Sequence, residues 1–198
     1  MVGARQPREA VAEWAMMRQL LLLRHAKSAW DDPALSDHAR PLNARGRKAA
    51  AAMALAMRDF GIVPDVVLVS SARRTLQTLE AFAPFEQGAL VEPLDALYLA
   101  SWQQMLDVIR RVPETARSVM LVGHNPGLHG LAMGLADPNA SAKDAPMLRR
   151  LAEGYPTGAL AEFLVATPWQ LLGSGTGRLV RFVVPGDLLP AELTEQPT

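Results

Sequence analysis

The sequence contains no cysteine and only three lysines among its 198 residues. The lack of cysteine excludes disulfide bonds, a thiolate nucleophile and cysteine-ligated zinc. Arginine is frequent by contrast, with 17 copies, and the 20 basic residues balance 20 acidic ones. A chain with no net charge has no global basic field to attract nucleic acid. We therefore expect no nucleic-acid partner.

Long apolar runs are also missing. The longest, Ala49 to Met57, has nine residues, far fewer than the roughly 20 that cross a bilayer. The first 19 residues carry five charged side chains and lack the apolar segment of a secretory signal. Apolar residues make up 49% and charged residues 20% of the chain, which is typical of globular domains. We expect a cytoplasmic protein with no membrane partner.

Strand and helix signals alternate along the chain. Continuous apolar runs predict buried strands at Leu20–Leu23, Val66–Val69 and Val119–Val122. Helices are predicted at Ala44–Phe60, Ala72–Phe82 and Ser101–Val112, and from Pro126 onward. Two further strands, Ala159–Val165 and Arg178–Val184, flank a turn rich in glycine (Gly173, Gly175 and Gly177). The alternation predicts a single α/β domain with an open, mostly parallel sheet and helices on both faces.

The remaining segments are assigned by composition. Residues 1–17 are predicted to be a peripheral N-terminal extension, with a helix over Arg8–Met17, and residues 18–198 to be the domain itself. The stretch Asp137–Pro146 is polar and rich in small residues, which predicts a surface loop.

Residues suited to phosphate follow three of the predicted strands. Arg24-His25 follows the first, Ser70 to Thr78 with Arg74 follows the second, and His124 follows the third. Ligands of open α/β sheets bind at the carboxyl ends of strands. The planar guanidinium group also suits phosphate, so the three strand ends together predict an anion site.

The helices after the second and third strands strengthen this prediction. Asn125 and Ser71 are residue types that cap helices, and Pro126 suits a first helical position. His124 would then lie just before a helix N-terminus and Arg74 in a first turn, where an anion is favoured. Capping alone would explain Ser71 and Asn125 but not Arg74 and His124.

These motifs resemble those of the histidine phosphatase superfamily, which has the phosphoglycerate mutase-like fold. Arg24-His25-Ala26 resembles the Arg-His-Gly signature, Ser70 to Thr78 the second-arginine motif, and Gly123 to Gly127 the second-histidine motif. Asp37 to Gly46, Leu97 to Ser101 and Tyr155 to Ala159 are most similar to the small bacterial phosphohistidine phosphatases, the SixA-like group. The resemblance extends from about Arg18 to Leu188.

The resemblance implies a metal-independent phosphatase without a cofactor. His25 would attack phosphorus and form a phosphohistidine intermediate that water hydrolyses. Its other ring nitrogen should donate to a fixed acceptor. Arg24, Arg74 and His124 would bind the transferring oxygens. Further substrate contacts are expected from Arg40, Asn125 and Ser28.

One family feature is missing. Many members carry a glutamate that protonates the leaving oxygen, but the aligned stretch, Glu92 to Leu99, has an apolar residue there. Asp95 and Glu92 are the candidate general acids, although each is also typical of a surface carboxylate. Weak cleavage of alkyl phosphates is therefore expected.

Two partner classes remain open at this point. The favoured substrate is a phosphorylated protein of the histidine-phosphotransfer type, and the alternative is a small phosphorylated metabolite. A binding module that has lost turnover is a third hypothesis. No metal site is predicted, because His124 and His129 are five residues apart and do not share a helical face, and His38 belongs to a polar loop.

Overall fold

The computed structural model describes residues 17–85 and 88–189. The helix predicted at 8–17 lies outside these residues except for Met17. Within these ranges, six strands form one sheet: β1 (Arg18–Arg24), β2 (Val66–Ser70), β3 (Leu90–Leu94), β4 (Ser118–Gly123), β5 (Leu160–Val165) and β6 (Gly177–Val183). Their spatial order is β3-β2-β4-β1-β5-β6.

The sheet is mostly parallel, as expected. β1 pairs in parallel with β4, and β2 pairs in parallel with both β3 and β4. β5 is antiparallel to β1 and to β6. The parallel pairing places the carboxyl ends of β1, β2 and β4 at one edge of the sheet, beside one another.

In the part of the chain that the structure describes, five α-helices cover the sheet. They are α1 (Ala44–Asp59), α2 (Arg73–Glu80), α3 (Trp102–Ile109), α4 (Gly127–Leu135) and α5 (Ala145–Glu153). Asn43 caps α1 by accepting from the Gly46 N–H at 2.7 Å. Ser101 and Gln104 form a capping box at the start of α3, which satisfies two free backbone donors.

Alternate residues of the central strands belong to two hydrophobic clusters, one on each face of the sheet. Leu20 and Leu22 of β1 pack with the α3, α4 and α5 side of the molecule. Leu21 and Leu23 pack with the α1 and α2 side. Both faces of β1 are therefore buried, which explains its unbroken apolar sequence.

Two elements were not predicted from the sequence. β3 is an edge strand with exposed Leu90 and Val91, and it contains Pro93; its pattern lacks the burial signal of the central strands. α5 begins at Ala145, at the end of the predicted loop Asp137–Pro146. Among the described helices, none is long and apolar enough to cross a membrane.

Candidate active site

His25 and His124 lie side by side because their strands are neighbours. Arg24 is in register with Gly123, and the backbone N–H of His25 donates to the Gly123 carbonyl at 3.1 Å. The two imidazole ring centroids are 5.1 Å apart. The parallel sheet thus brings together residues that are about half the chain apart in sequence.

The backbone around His25 is held from both sides. The Gly158 N–H donates to the carbonyls of Arg24 and His25, at 3.2 and 3.0 Å. Gly158 has a φ of +80°, a conformation that glycine adopts without steric cost. Thr78 Oγ1 accepts from the Ala26 N–H at 2.9 Å. The strand end that carries His25 is therefore fixed by two other segments.

The hydrogen bonding of His25 defines which of its nitrogens can react. Nδ1 lies 2.8 Å from the Ala26 carbonyl oxygen, which can only accept, so Nδ1 carries the proton. The lone pair then lies on Nε2. Burial, chiefly, lowers the pKa of His25 to about 4; the Arg74 and Arg24 charges also lower it, and the bond to Ala26 opposes them. The imidazole is neutral at pH 7.

His124 has the opposite tautomer. An Arg74 NH2 group lies 3.4 Å from Nδ1, which must accept, and Nε2 donates to Ser70 Oγ at 2.8 Å. The ring is only 1% exposed. Burial, together with His25 and Arg74, lowers the pKa of His124 to about 3. His124 is therefore also neutral, with both nitrogens engaged.

Arg74 and Arg24 border the two histidines. Arg74 is buried in the first turn of α2, as predicted, and donates to the carbonyl oxygen and to the carboxylate of Asp37, at 2.6 and 3.0 Å. Arg24 donates to the Tyr155 carbonyl at 2.7 Å. Arg24 Nε is buried without a hydrogen-bond partner in the described part of the chain. Both guanidinium groups thus keep donors for a ligand.

Arg40 is buried beside Ser28. Its guanidinium donates to Ser28 Oγ at 2.6 Å, to Asp37 at 2.7 Å and to the Ala29 carbonyl at 2.9 Å. Its Cζ lies 3.0 Å from the centroid of the Trp30 ring, a cation–π contact. These bonds use three of the five N–H groups of an arginine.

Asp37 connects the two buried arginines and was not predicted from the sequence as a site residue. One carboxylate oxygen accepts from Arg40, and the other accepts from Arg74 and from the Tyr98 hydroxyl, the last at 2.7 Å. Burial alone would raise the pKa of Asp37, but the bonds from Tyr98, Arg74 and Arg40 lower it to about 2. The carboxylate is therefore a fixed anion between cations.

Asp37 could have been noticed from its position three residues before Arg40. Tyr98 could not, because it lies 61 residues from Asp37 and meets it only in the folded chain. The Tyr98 ring is also edge-on to His124, with centroids 5.7 Å apart.

Both predictions of capping side chains are wrong. α4 begins at Gly127 with Pro126 in the cap position, and Asn125 Nδ2 instead donates to the Tyr155 carbonyl at 3.0 Å. α2 is capped by Ala72 without a side-chain bond. Ser71 Oγ is engaged with His38 Nε2 at 3.0 Å. Both polar side chains bond to distant segments of the chain. Neither makes a hydrogen bond to the N–H groups at the start of the helix that follows it.

The side chains of the candidate site line a cleft of about 730 Å³. Its lining includes all seven of the residues that the sequence placed in catalysis or substrate binding: Arg24, His25, Ser28, Arg40, Arg74, His124 and Asn125. The two candidate acids are elsewhere. Glu92 lies on the edge strand β3, and Asp95 is exposed in a short 3₁₀ helix, Asp95–Leu97. Within the described residues, Asp37 is the one carboxylate in the lining.

The other two histidines are structural. His38 contacts Ser71 and the Tyr98 ring. His129 Nε2 donates to the Leu151 carbonyl at 2.8 Å. Across the described ranges, no three His, Asp or Glu side chains are grouped to hold a metal ion.

Comparison with known proteins agrees with this geometry. The family profile of the histidine phosphatase superfamily (branch 1) matches residues 20–117. A solved structure from Nakamurella multipartitia, provisionally named the phosphohistidine phosphatase SixA, is 31% identical with a TM-score of 0.73, and the match covers 86% of this chain and 97% of that one. The chain belongs to the histidine phosphatase superfamily.

Further similar proteins support the SixA-like placement of this phosphatase. A structure from Agrobacterium tumefaciens with the same provisional name is 31% identical, with a TM-score of 0.70, over 85% of this chain and 98% of that one. An uncharacterised Mycobacterium tuberculosis protein is 36% identical over 82% of this chain and 99% of its own length. The similarity therefore spans nearly the full length of each relative.

Proposed function

We propose that this phosphatase hydrolyses phosphohistidine in a protein, with His25 Nε2 as the nucleophile. The observation that carries the proposal is the hydrogen bond from His25 Nδ1 to Ala26, at 2.8 Å. It fixes a neutral imidazole whose lone pair is on the other nitrogen. A neutral, oriented nitrogen is what in-line attack on phosphorus requires.

In the first step, the Nε2–P bond forms as the bond from phosphorus to the substrate imidazole breaks. The substrate imidazole leaves as a neutral ring when its other nitrogen, the one not bonded to phosphorus, already carries a proton. Water then attacks phosphorus, the P–Nε2 bond breaks, and His25 is again neutral because Nδ1 keeps its proton. The protons of the water remain on the released phosphate and solvent.

Arg24 and Arg74 would neutralise the phosphoryl oxygens, because both line the cleft. Arg40 and Ser28 would complete the donor set. His124 cannot donate from Nδ1 while that nitrogen accepts from Arg74. We propose that Nδ1 takes up a proton when the phosphoryl dianion enters, since an anion at this position favours the charged ring.

Among the described residues, the cleft lining offers no protonated carboxyl group, which favours phosphohistidine over small phosphate esters. Asp37, the carboxylate in the described lining, is committed to two arginines and Tyr98. Its pKa of about 2 leaves no proton to give at neutral pH. An alkoxide needs such a proton on leaving, whereas imidazole does not. The relatives provisionally named phosphohistidine phosphatases point the same way.

A substrate panel tests this proposal. It contains a phosphorylated histidine-phosphotransfer protein, nitrophenyl phosphate, glycerol phosphate and sugar phosphates. General acid catalysis is worth about 10²–10⁴-fold, so the first two should exceed the alkyl esters in kcat/KM by a factor of that order. Equal rates on alkyl phosphates, removed by Asp95→Asn or Glu92→Gln alone, would instead favour a small-molecule phosphatase.

A further inference from the structure

The cleft has more cationic side chains than the transferring phosphoryl group would engage. The described residues of its lining include five: Arg24, Lys27, Arg40, Arg45 and Arg74. Arg40 and Arg74 share the Asp37 carboxylate, and Arg24 is bonded to the Tyr155 carbonyl. Lys27 and Arg45 are different. Neither side chain has a hydrogen-bond or ion-pair partner within residues 17–85 and 88–189.

The backbones that carry Lys27 and Arg45 are in direct contact. The Asn43 N–H donates to the Lys27 carbonyl at 3.1 Å. A Cβ atom at Gly46 would lie 2.0 Å from the same oxygen, so this close approach requires glycine. Both half-buried side chains therefore start from one fixed junction and line the same cleft.

Within residues 17–85 and 88–189, no acidic side chain is paired with either of these two charges. The first turn of α1, which contains Arg45, has no acidic residue. Asp37, in the same cleft, already accepts from three other donors, Arg40, Arg74 and Tyr98. Two adjacent, uncompensated cations raise the local potential and favour an anionic ligand.

Apolar side chains at the same cleft indicate the size of that ligand. Trp30 is 79% exposed and Leu99 is 57% exposed, and both line the cleft. Aromatic residues and arginine are enriched in surfaces that bind a protein, so Trp30 beside these cations fits a protein ligand. A small metabolite bound over His25 would leave much of this surface uncovered.

We propose that Lys27 and Arg45 form a second anion-binding subsite that takes a carboxylate beside the phosphohistidine of the substrate protein. This inference rests on the proposed function. The subsite would select substrates in which an acidic residue lies near the phosphorylated histidine. Its contribution is to binding, because neither cation needs to touch the transferring phosphorus.

Two synthetic phosphohistidine peptides test the subsite, identical except for Glu or Gln on both flanks of the histidine. For the unmodified phosphatase, the Glu peptide should have a KM roughly five- to tenfold lower, as expected for two partly exposed ion pairs, and added salt should reduce the difference. In the double variant Lys27→Gln and Arg45→Gln, this preference should disappear, with kcat on the Glu peptide little changed.

The matched control is Lys48→Gln with Arg58→Gln. It removes the same charge from exposed positions of α1 outside the cleft lining, so the preference for Glu should persist. Equal KM values for the two peptides in the unmodified phosphatase would overturn the subsite alone. So would an equal loss of kcat/KM on nitrophenyl phosphate and the Glu peptide in the Lys27 and Arg45 variant. Failure to cleave either peptide, with nitrophenyl phosphate still hydrolysed, would overturn the proposed function instead.

Discussion

The floor and the rim of the cleft are built in opposite ways. On the floor, His25, Arg40, Arg74 and His124 are buried, and each is bonded to the protein. At the rim, Lys27 and Arg45 are half-buried and without partners in the described part of the chain. The floor is therefore preorganised for one reaction, whereas the rim is free to respond to the substrate.

The arrangement of the side chains on the floor depends on the balance between the arginine charges and Asp37. Two neutral histidines lie among three arginines, and burial holds both histidine pKa values far below 6.5. Asp37 supplies the negative charge that keeps Arg40 and Arg74 close together. Substitutions on the floor should therefore reduce turnover, whereas substitutions at the rim should alter substrate choice.

The largest effect is expected for His25→Ala. Removing the nucleophile should lower kcat by at least about 10⁴-fold, the scale seen when covalent catalysis is lost. The thermal midpoint, measured by circular dichroism, should change little, because His25 projects from a strand end and not into either hydrophobic cluster. Substantial turnover by a folded variant would show that the floor does not provide the nucleophile.

Arg74→Ala and His124→Ala should each reduce kcat/KM by about 10²–10³-fold, the usual loss of a preorganised charge stabiliser. Steady-state kinetics with nitrophenyl phosphate measures both. Arg178→Ala serves as the control, since Arg178 is an exposed residue of β6. Kinetics like those of the parent in either floor variant would show that the strand ends do not act on one substrate.

Asp37→Asn should have a smaller effect on turnover. The amide keeps the shape but loses one charge-assisted bond, worth about 1.5 kcal/mol, so kcat should fall roughly tenfold. KM should not rise, because removing an anion from the cleft favours phosphate binding.

The control for Asp37→Asn is Asp107→Asn, in an exposed i,i+3 pair with Arg110. It removes a paired carboxylate outside the cleft and should leave both kinetic constants as they are. A raised KM with unchanged kcat in Asp37→Asn would contradict its role in positioning the two arginines.

Mild acid should act through His25 on stability and leave turnover at neutral pH unchanged. Its pKa is lowered to about 4 in the folded protein, so the folded form should stay neutral as pH falls through 6.5 and gain its proton only near 4. The unfolded chain gains a proton already near 6.5. The contribution of His25 to the free energy of unfolding is therefore lost as the pH falls from about 6.5 to about 4.

An NMR titration of the His25 ring measures this difference between the buried floor and ordinary solvent-exposed histidines. A midpoint near 6.5 would show that His25 is not held neutral by its surroundings.

The sequence predicted the candidate catalytic residues better than the residues that position them. Arg24, His25, Arg74 and His124 were found because each follows a buried strand, and parallel neighbours must end at the same edge. Asp37 and Tyr98 were missed because their contact joins segments 61 residues apart, which no local pattern records. The capping roles of Ser71 and Asn125 were wrong for the same reason, since His38 and Tyr155 are distant partners.

The central claim is tested most directly by trapping the intermediate. The phosphatase is mixed briefly with a labelled phosphoryl donor and quenched in base, and the labelled peptide is mapped by mass spectrometry. We predict an acid-labile, base-stable phosphoryl group on His25, bonded through Nε2 because Nδ1 is held by the Ala26 carbonyl. Label on Ser28 or Ser71, or on Nδ1 of His25, would contradict the account.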